Sequence, residues 1–181
     1  MKNQINFSNV NPISQKIEKL IKSKISKVIK NKNFILGNEV KIFEKNFAKK
    51  ANTKYAIGCA TGTDALILSL MSLNLKKRDE VIVPGMSYIS TGLAVILNNI
   101  KLVFVDIDSE TGLIDINQVK KKITKNTKVV IPVNLYGQRV NITRLRRAIG
   151  KKISIIEDSA QSHFAYDGYK KKIIPNKNIS T

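Results

Sequence analysis

From residue 55 onward, short apolar runs alternate with segments of helical periodicity, and this alternation restricts the possible folds more than any other feature. The apolar runs are YAIGCA, EVIVP, KLVFVDID, KVVIPVNL and ISIIED. The segments between them are TGTDALILSLMSL, SYISTGLAVILNN, DINQVKKKI and NITRLRRAI. This order predicts a three-layer α/β/α domain with a mostly parallel sheet whose strands are buried on both faces. Ligands of such sheets bind beyond the carboxyl ends of the strands, and we expect the chemistry there.

The N-terminal region has a different pattern, with apolar side chains at steps of three and four. They are Ile13, Ile17, Leu20, Ile21, Ile25, Val28 and Ile29. This spacing predicts an amphipathic helix over 12–31 with a lysine-rich outer face. A second helix is predicted after the loop NKNFILGN. Its apolar face carries Val40, Phe43 and Phe47. We therefore expect an N-terminal helix and arm over 1–33, followed by the α/β domain over 34–181.

The chain carries a formal net charge of +19, from 32 basic and 13 acidic residues. The lysines are spread along the whole chain, and Asn and Ile are abundant beside them, which is typical of AT-rich codon usage. The alternatives are nucleic-acid binding and a membrane-surface role for the first helix. No basic cluster is interleaved with aromatic residues, and no other segment suggests a membrane. We therefore expect neither partner.

The single cysteine, Cys59, excludes an intramolecular disulfide. The N-terminal sequence MKNQINFSNVNP has no apolar signal core, and a cytoplasmic protein is expected. His163 is the only histidine, so a zinc site has no support and no metal is expected. Cys59 itself lies at the end of a predicted buried strand, where a small core residue is the expected role.

The segment that follows YAIGCA has the features of an anion site. Thr61 and Asp64 fit a capping box at the start of a helix. The backbone N–H groups of Gly62 and Thr63 would then point outward, with the helix dipole behind them, and suit a phosphate. An ordinary capped helix is the alternative. The segment is neither a Walker loop nor a GxGxxG fingerprint, which argues against ATP and NAD.

A second polar site is predicted where the run ISIIED ends. Asp158 would lie at the ligand edge of the sheet, where its carboxylate could hold a protonated ring nitrogen by a charge-assisted hydrogen bond. The alternative is that Asp158 caps the next turn. Its neighbour Glu157 alternates to the other face of the strand and is expected to be structural. Tyr88 follows another strand and could stack on a flat ring.

Six segments, taken in order, resemble the DegT/StrS-type sugar aminotransferase family. They are GNEVKIFEKNFAKK, GCATGTDALILSL, RDEVIVPGMSYIST, LVFVDID, IPVNLYGQ and IIEDSAQSH. The likeness extends from about residue 34 to 168, and its specificity lies in the combined order. Members of this family are fold type I enzymes that use pyridoxal 5'-phosphate (PLP). The resemblance implies the large PLP-binding domain of that fold and PLP as the cofactor.

The resemblance also implies an activity. The family transfers an amino group, usually from glutamate, to a nucleotide-linked keto-sugar, and the products enter polysaccharides, lipopolysaccharide or amino-sugar compounds. Family members are usually homodimers. A dehydratase variant also exists, in which histidine replaces the lysine that binds the cofactor.

Residue by residue, the resemblance implies roles around the cofactor. Gly62 and Thr63 match the phosphate-binding turn, and Tyr88 matches the aromatic residue that stacks on the ring. Asp158 matches the partner of the pyridine nitrogen, and Gln161 matches the residue beside the ring hydroxyl.

Three further residues match the family, whereas the lysine that binds the cofactor in the family is not matched. His163 falls in the family's Ala-Gln-x-His stretch, which implies a place near the cofactor, and Asn134 and Tyr136 belong to a turn on the substrate side. No catalytic residue is identified, because the Schiff-base lysine of the family is expected beyond Thr181. The lysines at the C-terminal end of the chain lie instead in a polar stretch around a predicted turn at 166–169. They are Lys170, Lys171, Lys172 and Lys177.

Two interpretations of the chain follow. It is a truncated, inactive fragment of an aminotransferase whose small C-terminal domain is absent, or it is a complete small protein that reuses the fold. We favour the fragment, because half of such an enzyme leaves apolar surface exposed. A non-catalytic dimerisation remnant is a further alternative.

Overall fold

A computed structural model describes residues 13–165 and the backbone of residues 179–180. The chain divides into two compact units, Met1–Asn46 and Phe47–Thr181. The turn and the lysines discussed between residues 166 and 178 lie outside the described residues.

The first unit contains helix α1 (Gln15–Asn31) and the beginning of helix α2 (Asn38–Ala51). Helix α1 begins where the Ser14 hydroxyl oxygen accepts the N–H of Ile17, and it ends at Lys32, which has a left-handed conformation. The helix predicted over 12–31 is therefore confirmed. None of its residues is buried. Among the described residues, no helix is long and apolar enough to cross a bilayer.

The second unit is an open sheet with helices. Its further helices are α3 (Gly62–Met71), α4 (Ser90–Leu97), α5 (Ile116–Lys122) and α6 (Ile142–Ile149). Its strands are β1 (Glu80–Pro84), β2 (Lys101–Val105), β3 (Thr127–Val130), β4 (Ser154–Glu157) and β5 (Ile179–Ser180). The strands lie in the order β2-β1-β3-β4-β5, and each neighbouring pair is parallel. The predicted parallel sheet is confirmed.

The two faces of this sheet have separate apolar cores. On one face, Val81 and Val83 of β1 pack with Leu66 of α3 and with helix α4. On the other face, Ile82 of β1 packs with Leu145 of α6 and with helix α5. Successive strand residues point to opposite faces, so the continuous apolar run EVIVP supplies both cores. The three-layer α/β/α arrangement is therefore confirmed.

One predicted strand is not observed. Residues 55–60, the run YAIGCA, form no strand, and most of their side chains are exposed. A strand is stable only when its backbone groups pair with a neighbour, and no described strand lies beside this run. The prediction of Cys59 as a core residue is wrong for the same reason, because its side chain is exposed.

Strand β2 is the second departure from the predicted burial. It forms the edge of the sheet, and Phe104 in its middle is exposed, whereas Val105 at its end is buried. Apolar composition alone does not distinguish an edge strand from a central one. The prediction that strands are buried on both faces holds for β1 and fails for β2.

At the amino ends of the strands, which we call the amino edge of the sheet, the buried carboxylate of Glu80 at the start of β1 binds neighbouring segments. Lys101 Nζ donates a hydrogen bond to Oε1 at 2.8 Å, and the hydroxyls of Thr124 and Thr127 donate to Oε2. The hydrogen bonds from Lys101 and then Thr124 lower the pKa of Glu80 below its ordinary 4.5, although burial opposes them. Because Lys101 begins β2 and Thr127 begins β3, this side chain ties three strands together.

Candidate functional site

Helix α3 begins at the turn that the sequence predicts as an anion site. Thr61 Oγ1 accepts the N–H of Asp64 at 3.1 Å, and its hydroxyl donates to the Asp64 carboxylate at 2.8 Å. The predicted capping contact is confirmed. The N–H of Ala65 binds the Thr61 carbonyl, so the first two N–H groups of the helix, those of Gly62 and Thr63, precede the intrahelical hydrogen bonds and could serve as donors to a ligand.

The space in front of this turn is open. A Cβ atom built at Gly62 would meet nothing within 4 Å in the part of the chain that the structure describes, apart from its own helix backbone and chain neighbours. Gly62 is exposed, and its lack of a side chain serves no packing contact in the described structure. A ligand can therefore approach the backbone closely at this position.

A hydroxyl pair fixes the start of α3 to the start of α4. Thr63 Oγ1 and Ser90 Oγ are 2.7 Å apart, and Ser90 is buried. A second pair, Ser87 Oγ and Thr91 Oγ1 at 2.8 Å, stabilises the turn before α4. Two helix starts are thus held side by side at the carboxyl end of β1.

Asp158 follows β4, and its backbone continues the sheet. Its N–H donates to the carbonyl of Pro132 at 3.0 Å, and its carbonyl accepts the N–H of Asn134 at 2.9 Å. Its carboxylate accepts the N–H of Ala160 at 3.1 Å. Burial raises the pKa of Asp158 above its ordinary 3.8, while the Ala160 hydrogen bond and the charge of His163 act in the opposite direction.

The turn at the start of helix α3, residues 61–63, is named the anion turn. The anion turn and Asp158 lie at the same edge of the sheet. Strands β1 and β4 are parallel to β3, which lies between them, so their carboxyl ends share one edge. Ser90 follows β1 there and contacts Thr63, and Asp158 follows β4. Two strand spacings, about 10 Å, separate β1 from β4. One edge therefore combines N–H donors for an anion with a buried carboxylate for a cation.

Gln161 and Tyr136 are joined directly. The side-chain oxygen of Gln161 accepts the backbone N–H of Tyr136 at 2.9 Å. Tyr136 has a left-handed backbone, with φ of 57°, and its side chain is 75% exposed. The ring of Tyr136 is thus presented to solvent at the ligand edge by a backbone conformation that few residues other than glycine adopt.

His163 and Tyr88 are exposed residues that follow strands β4 and β1 in the chain. His163 is exposed, and its ring meets the ring of Phe47 edge-on, with centroids 6.2 Å apart. Tyr88 lies two residues before α4, and its side chain is 75% exposed. The segment SYISTGLAVILNN, which contains Tyr88, predicts a helix, and in the structure α4 begins at Ser90.

Asn134 has a different environment from the other predicted site residues. Its side chain is only 1% exposed. Its amide nitrogen donates to Glu157 Oε1 at 2.9 Å and to Ser159 Oγ at 3.0 Å, and its oxygen accepts the N–H of Val140 at 2.8 Å. The Asn134 side chain therefore faces the protein interior.

Comparison with known protein families identifies the fold. Residues 15–175 match the family model described as the DegT/DnrJ/EryC1/StrS aminotransferase family. The chain belongs to this family. The match covers most of the chain and includes both the anion turn and Asp158.

Curated relatives in the family carry names of sugar-modifying enzymes. A UDP-2-acetamido-2-deoxy-3-oxo-D-glucuronate aminotransferase of Pseudomonas aeruginosa is 39% identical over 178 residues, covering 98% of this chain and 48% of the relative. A dTDP-3-amino-3,6-dideoxy-alpha-D-galactopyranose transaminase of Aneurinibacillus thermoaerophilus is 38% identical, covering 91% and 46%. The chain thus spans about half the length of these relatives.

Solved structures agree with this assignment. A DegT/DnrJ/EryC1/StrS aminotransferase from Brucella abortus superimposes with a TM-score of 0.80 at 31% identity, covering 88% of this chain and 45% of that one. A GDP-4-keto-6-deoxy-D-mannose-3-dehydratase from E. coli with bound hydrated PLP superimposes with a TM-score of 0.72 at 35% identity, covering 76% and 37%. The PLP-transferase fold is therefore shown.

Two residues that support the candidate site in the structure, Arg139 and Ser90, were not selected from the sequence. Arg139 forms a bidentate pair with Glu157, with Nε to Oε1 at 2.8 Å and Nη2 to Oε2 at 3.2 Å. Ser90 supports the anion turn. The sequence does contain one indication of such a partner, the charged residue Glu157 within an apolar strand. A buried carboxylate requires a nearby cation or several hydrogen-bond donors. Nothing in the sequence selected Arg139 among the 32 basic residues.

Proposed function

We propose that this chain forms the cofactor-binding part of a PLP-dependent aminotransferase that acts on nucleotide-linked keto-sugars. The observation that carries the proposal is the presence, at one edge of the sheet, of both the first N–H groups of helix α3, those of Gly62 and Thr63, and the buried carboxylate of Asp158. Glutamate is the proposed amino donor, and a homodimer is the proposed assembly. With one cysteine and no disulfide, the cytoplasm is the proposed location.

The anion turn fits the phosphate of PLP. The N–H groups of Gly62 and Thr63 supply donors, and the positive end of the α3 dipole lies behind them. The open space at Gly62 admits a phosphate close to the backbone. The Thr63–Ser90 pair keeps the turn in place, so the donors are arranged before a ligand arrives.

Asp158 fits the ring end of PLP. A carboxylate removed from water is stabilised when a cation binds beside it, and a protonated pyridine nitrogen is such a cation. When bound, PLP supplies an electron sink for the amino-group transfer, and protonation of its ring strengthens that property. Asp158 would hold this proton at the ring nitrogen, while Tyr88 would stack on the ring and Gln161 and His163 would border it.

The substrate class rests on the relatives. The two named above act, by their names, on UDP- and dTDP-linked sugars. In this chain, Tyr136 is the exposed aromatic side chain of the 134–138 turn at the ligand edge. We assign Tyr136 to the substrate side and Asn134 to the same turn.

Pyridoxamine 5'-phosphate (PMP) is the probe for testing this site. It has the ring and phosphate of PLP without the aldehyde, so it does not react with surface lysines. The purified chain should bind PMP in isothermal titration calorimetry. Asp158→Asn should weaken binding about 10- to 100-fold, as expected for the loss of a hydrogen bond to a charged group.

Glu80→Gln is the matched control, because it neutralises another buried carboxylate at the opposite edge of the sheet. Its affinity for PMP should equal that of the unsubstituted chain. Equal affinities for all three proteins, or no binding by the unsubstituted chain, would contradict the proposed function.

A sugar dehydratase is the second candidate, because the relative with bound hydrated PLP is a 3-dehydratase at 35% identity. The two activities differ in their products. Mass spectrometry of the product made by the protein expressed from its natural gene separates them. An aminotransferase replaces a keto oxygen with an amine, whereas a dehydratase removes a hydroxyl group.

A further inference from the structure

The segment that carries Asp158 and the segment that carries Tyr136 are joined by a buried polar cluster, which we name the Asn134–Glu157–Arg139 network. Glu157 is buried and accepts two hydrogen bonds from the Arg139 guanidinium. Its Oε1 also accepts the amide N–H of Asn134. The charges of the pair are therefore desolvated together, in a geometry that fixes both side chains.

Asn134 extends this network to both sides of Asp158. Its amide nitrogen bonds Glu157, the residue before Asp158, and Ser159, the residue after it. The backbone of Asn134 bonds the carbonyl of Asp158 itself. One asparagine thus holds three consecutive residues, which fixes the backbone from which the Asp158 carboxylate projects.

The same asparagine closes the turn that presents Tyr136. Its side-chain oxygen accepts the N–H of Val140, at the far end of the turn, and Arg139 within the turn binds Glu157. Tyr136 has a left-handed backbone, which costs on the order of 1 kcal/mol and persists only when surrounding contacts enforce it.

A buried ion pair is weak evidence for a role in stability. Replacing such a pair with apolar residues of similar volume is often neutral or stabilising, because the desolvation of both charges is then avoided. Apolar side chains in these positions would fill the space. They would not supply the directed hydrogen bonds that hold residues 157–159 and the 134–140 turn in one arrangement.

We propose that the Asn134–Glu157–Arg139 network positions Asp158 and Tyr136 for the cofactor ring and the substrate, with Asn134 as its central positioning residue. This inference rests on the proposed function, because it assigns Asp158 to a ring nitrogen. It gives Asn134 a role through Asp158 and Tyr136, in place of direct contact with the substrate.

The test compares two probes. PMP engages both the anion turn and Asp158, whereas inorganic phosphate engages the anion turn alone. Asn134→Leu keeps the side-chain volume and removes the three hydrogen bonds. It should weaken PMP binding about tenfold, the effect expected of a coupled polar network, and should change phosphate affinity by less than about twofold.

Glu157→Gln is the second, milder variant, because it keeps the shape of the side chain and removes the charge that Arg139 binds. It should weaken PMP binding by less than Asn134→Leu does. The absorbance of bound PMP reports whether the ring is protonated, and its pH profile should shift in both variants, since Asp158 is no longer held in place. A residue with only a structural role would not move that profile.

Glu80→Gln is again the control, with unchanged PMP affinity and an unchanged pH profile. If the unsubstituted chain binds PMP and both network variants bind it equally well, with the same pH profile, the positioning role is overturned and the proposed function stands. If the unsubstituted chain does not bind PMP, both proposals are overturned.

Discussion

At the scale of single residues, the buried environment of Asp158 disfavours the charge of its carboxylate. Burial raises its pKa, and among the described residues the Ala160 N–H and the nearby His163 act in the opposite direction. Carboxylates in such environments often belong to functional sites, because a ligand supplies the missing cation. The charge of Asp158 therefore bears a desolvation cost that the proposed contact with a cationic ring would relieve.

We expect Asp158→Asn to stabilise the ligand-free chain at neutral pH, by about 0.5–2 kcal/mol in the free energy of unfolding. The amide keeps an oxygen that accepts the Ala160 N–H, and it avoids the desolvation of a charge. Urea unfolding followed by circular dichroism measures the change. A less stable variant would show that the Asp158 carboxylate contributes to the fold.

The pH dependence has a definite sign. The pKa of Asp158 is higher in the folded chain than in the unfolded chain, so the folded state binds the proton more tightly. Its contribution to stability is present below the ordinary value of 3.8 and is lost as the pH rises through the raised pKa. The stability difference between Asp158→Asn and the unsubstituted chain should therefore grow as the pH rises through that range.

Gly62 allows a change that affects binding without affecting the fold. A side chain at this position meets open space, so Gly62→Val should fold normally. Valine is a better helix former than glycine, and stability should rise by up to about 0.5 kcal/mol. The new side chain would occupy the approach of the phosphate, and affinity for inorganic phosphate, measured by phosphorus NMR titration, should fall. Unchanged affinity would place the anion site elsewhere.

At the scale of elements, hydrophobic periodicity was sufficient for β1, β3 and β4 and for the helices between them. It was insufficient for residues 55–60, because strand formation depends on a neighbouring strand that a local pattern does not specify. The candidate site, like the strands, was only partly predictable from the sequence. Asp158 and the anion turn follow from their positions at the ends of sequence segments, whereas the inward orientation of Asn134 depends on contacts with Glu157 and Ser159 that are distant in sequence.

The amino edge of the sheet provides the prediction for this scale. Glu80→Gln should lower the free energy of unfolding by about 1–2 kcal/mol at neutral pH, because charged hydrogen bonds to Lys101 and Thr124 are weakened. Lys101 is largely exposed, which places the effect toward the lower end of that range.

The pH dependence of this variant is opposite to that of Asp158→Asn. The folded-state pKa of Glu80 is lowered, so its contribution is present above the ordinary 4.5 and is lost as the pH falls through the lowered value. Urea unfolding at neutral and acidic pH should show the two proteins converging in acid. A constant difference would assign the effect to packing.

At the scale of the whole molecule, a net charge of +19 acts on stability and binding in opposite ways. Self-repulsion destabilises the compact state, and salt screens this repulsion, reducing the Debye length from about 30 Å at 0.01 M to about 3 Å at 1 M.

We therefore expect the urea midpoint to rise with sodium chloride, while affinity for the anionic probe PMP falls severalfold. Urea is the appropriate denaturant because guanidinium chloride would itself screen the charges. Replacing Lys19 or Lys27 on helix α1 with glutamine should reduce both slopes slightly without affecting the site. If stability is independent of salt while PMP affinity declines, the positive charge acts on the ligand alone, and the evenly spread lysines do not oppose folding.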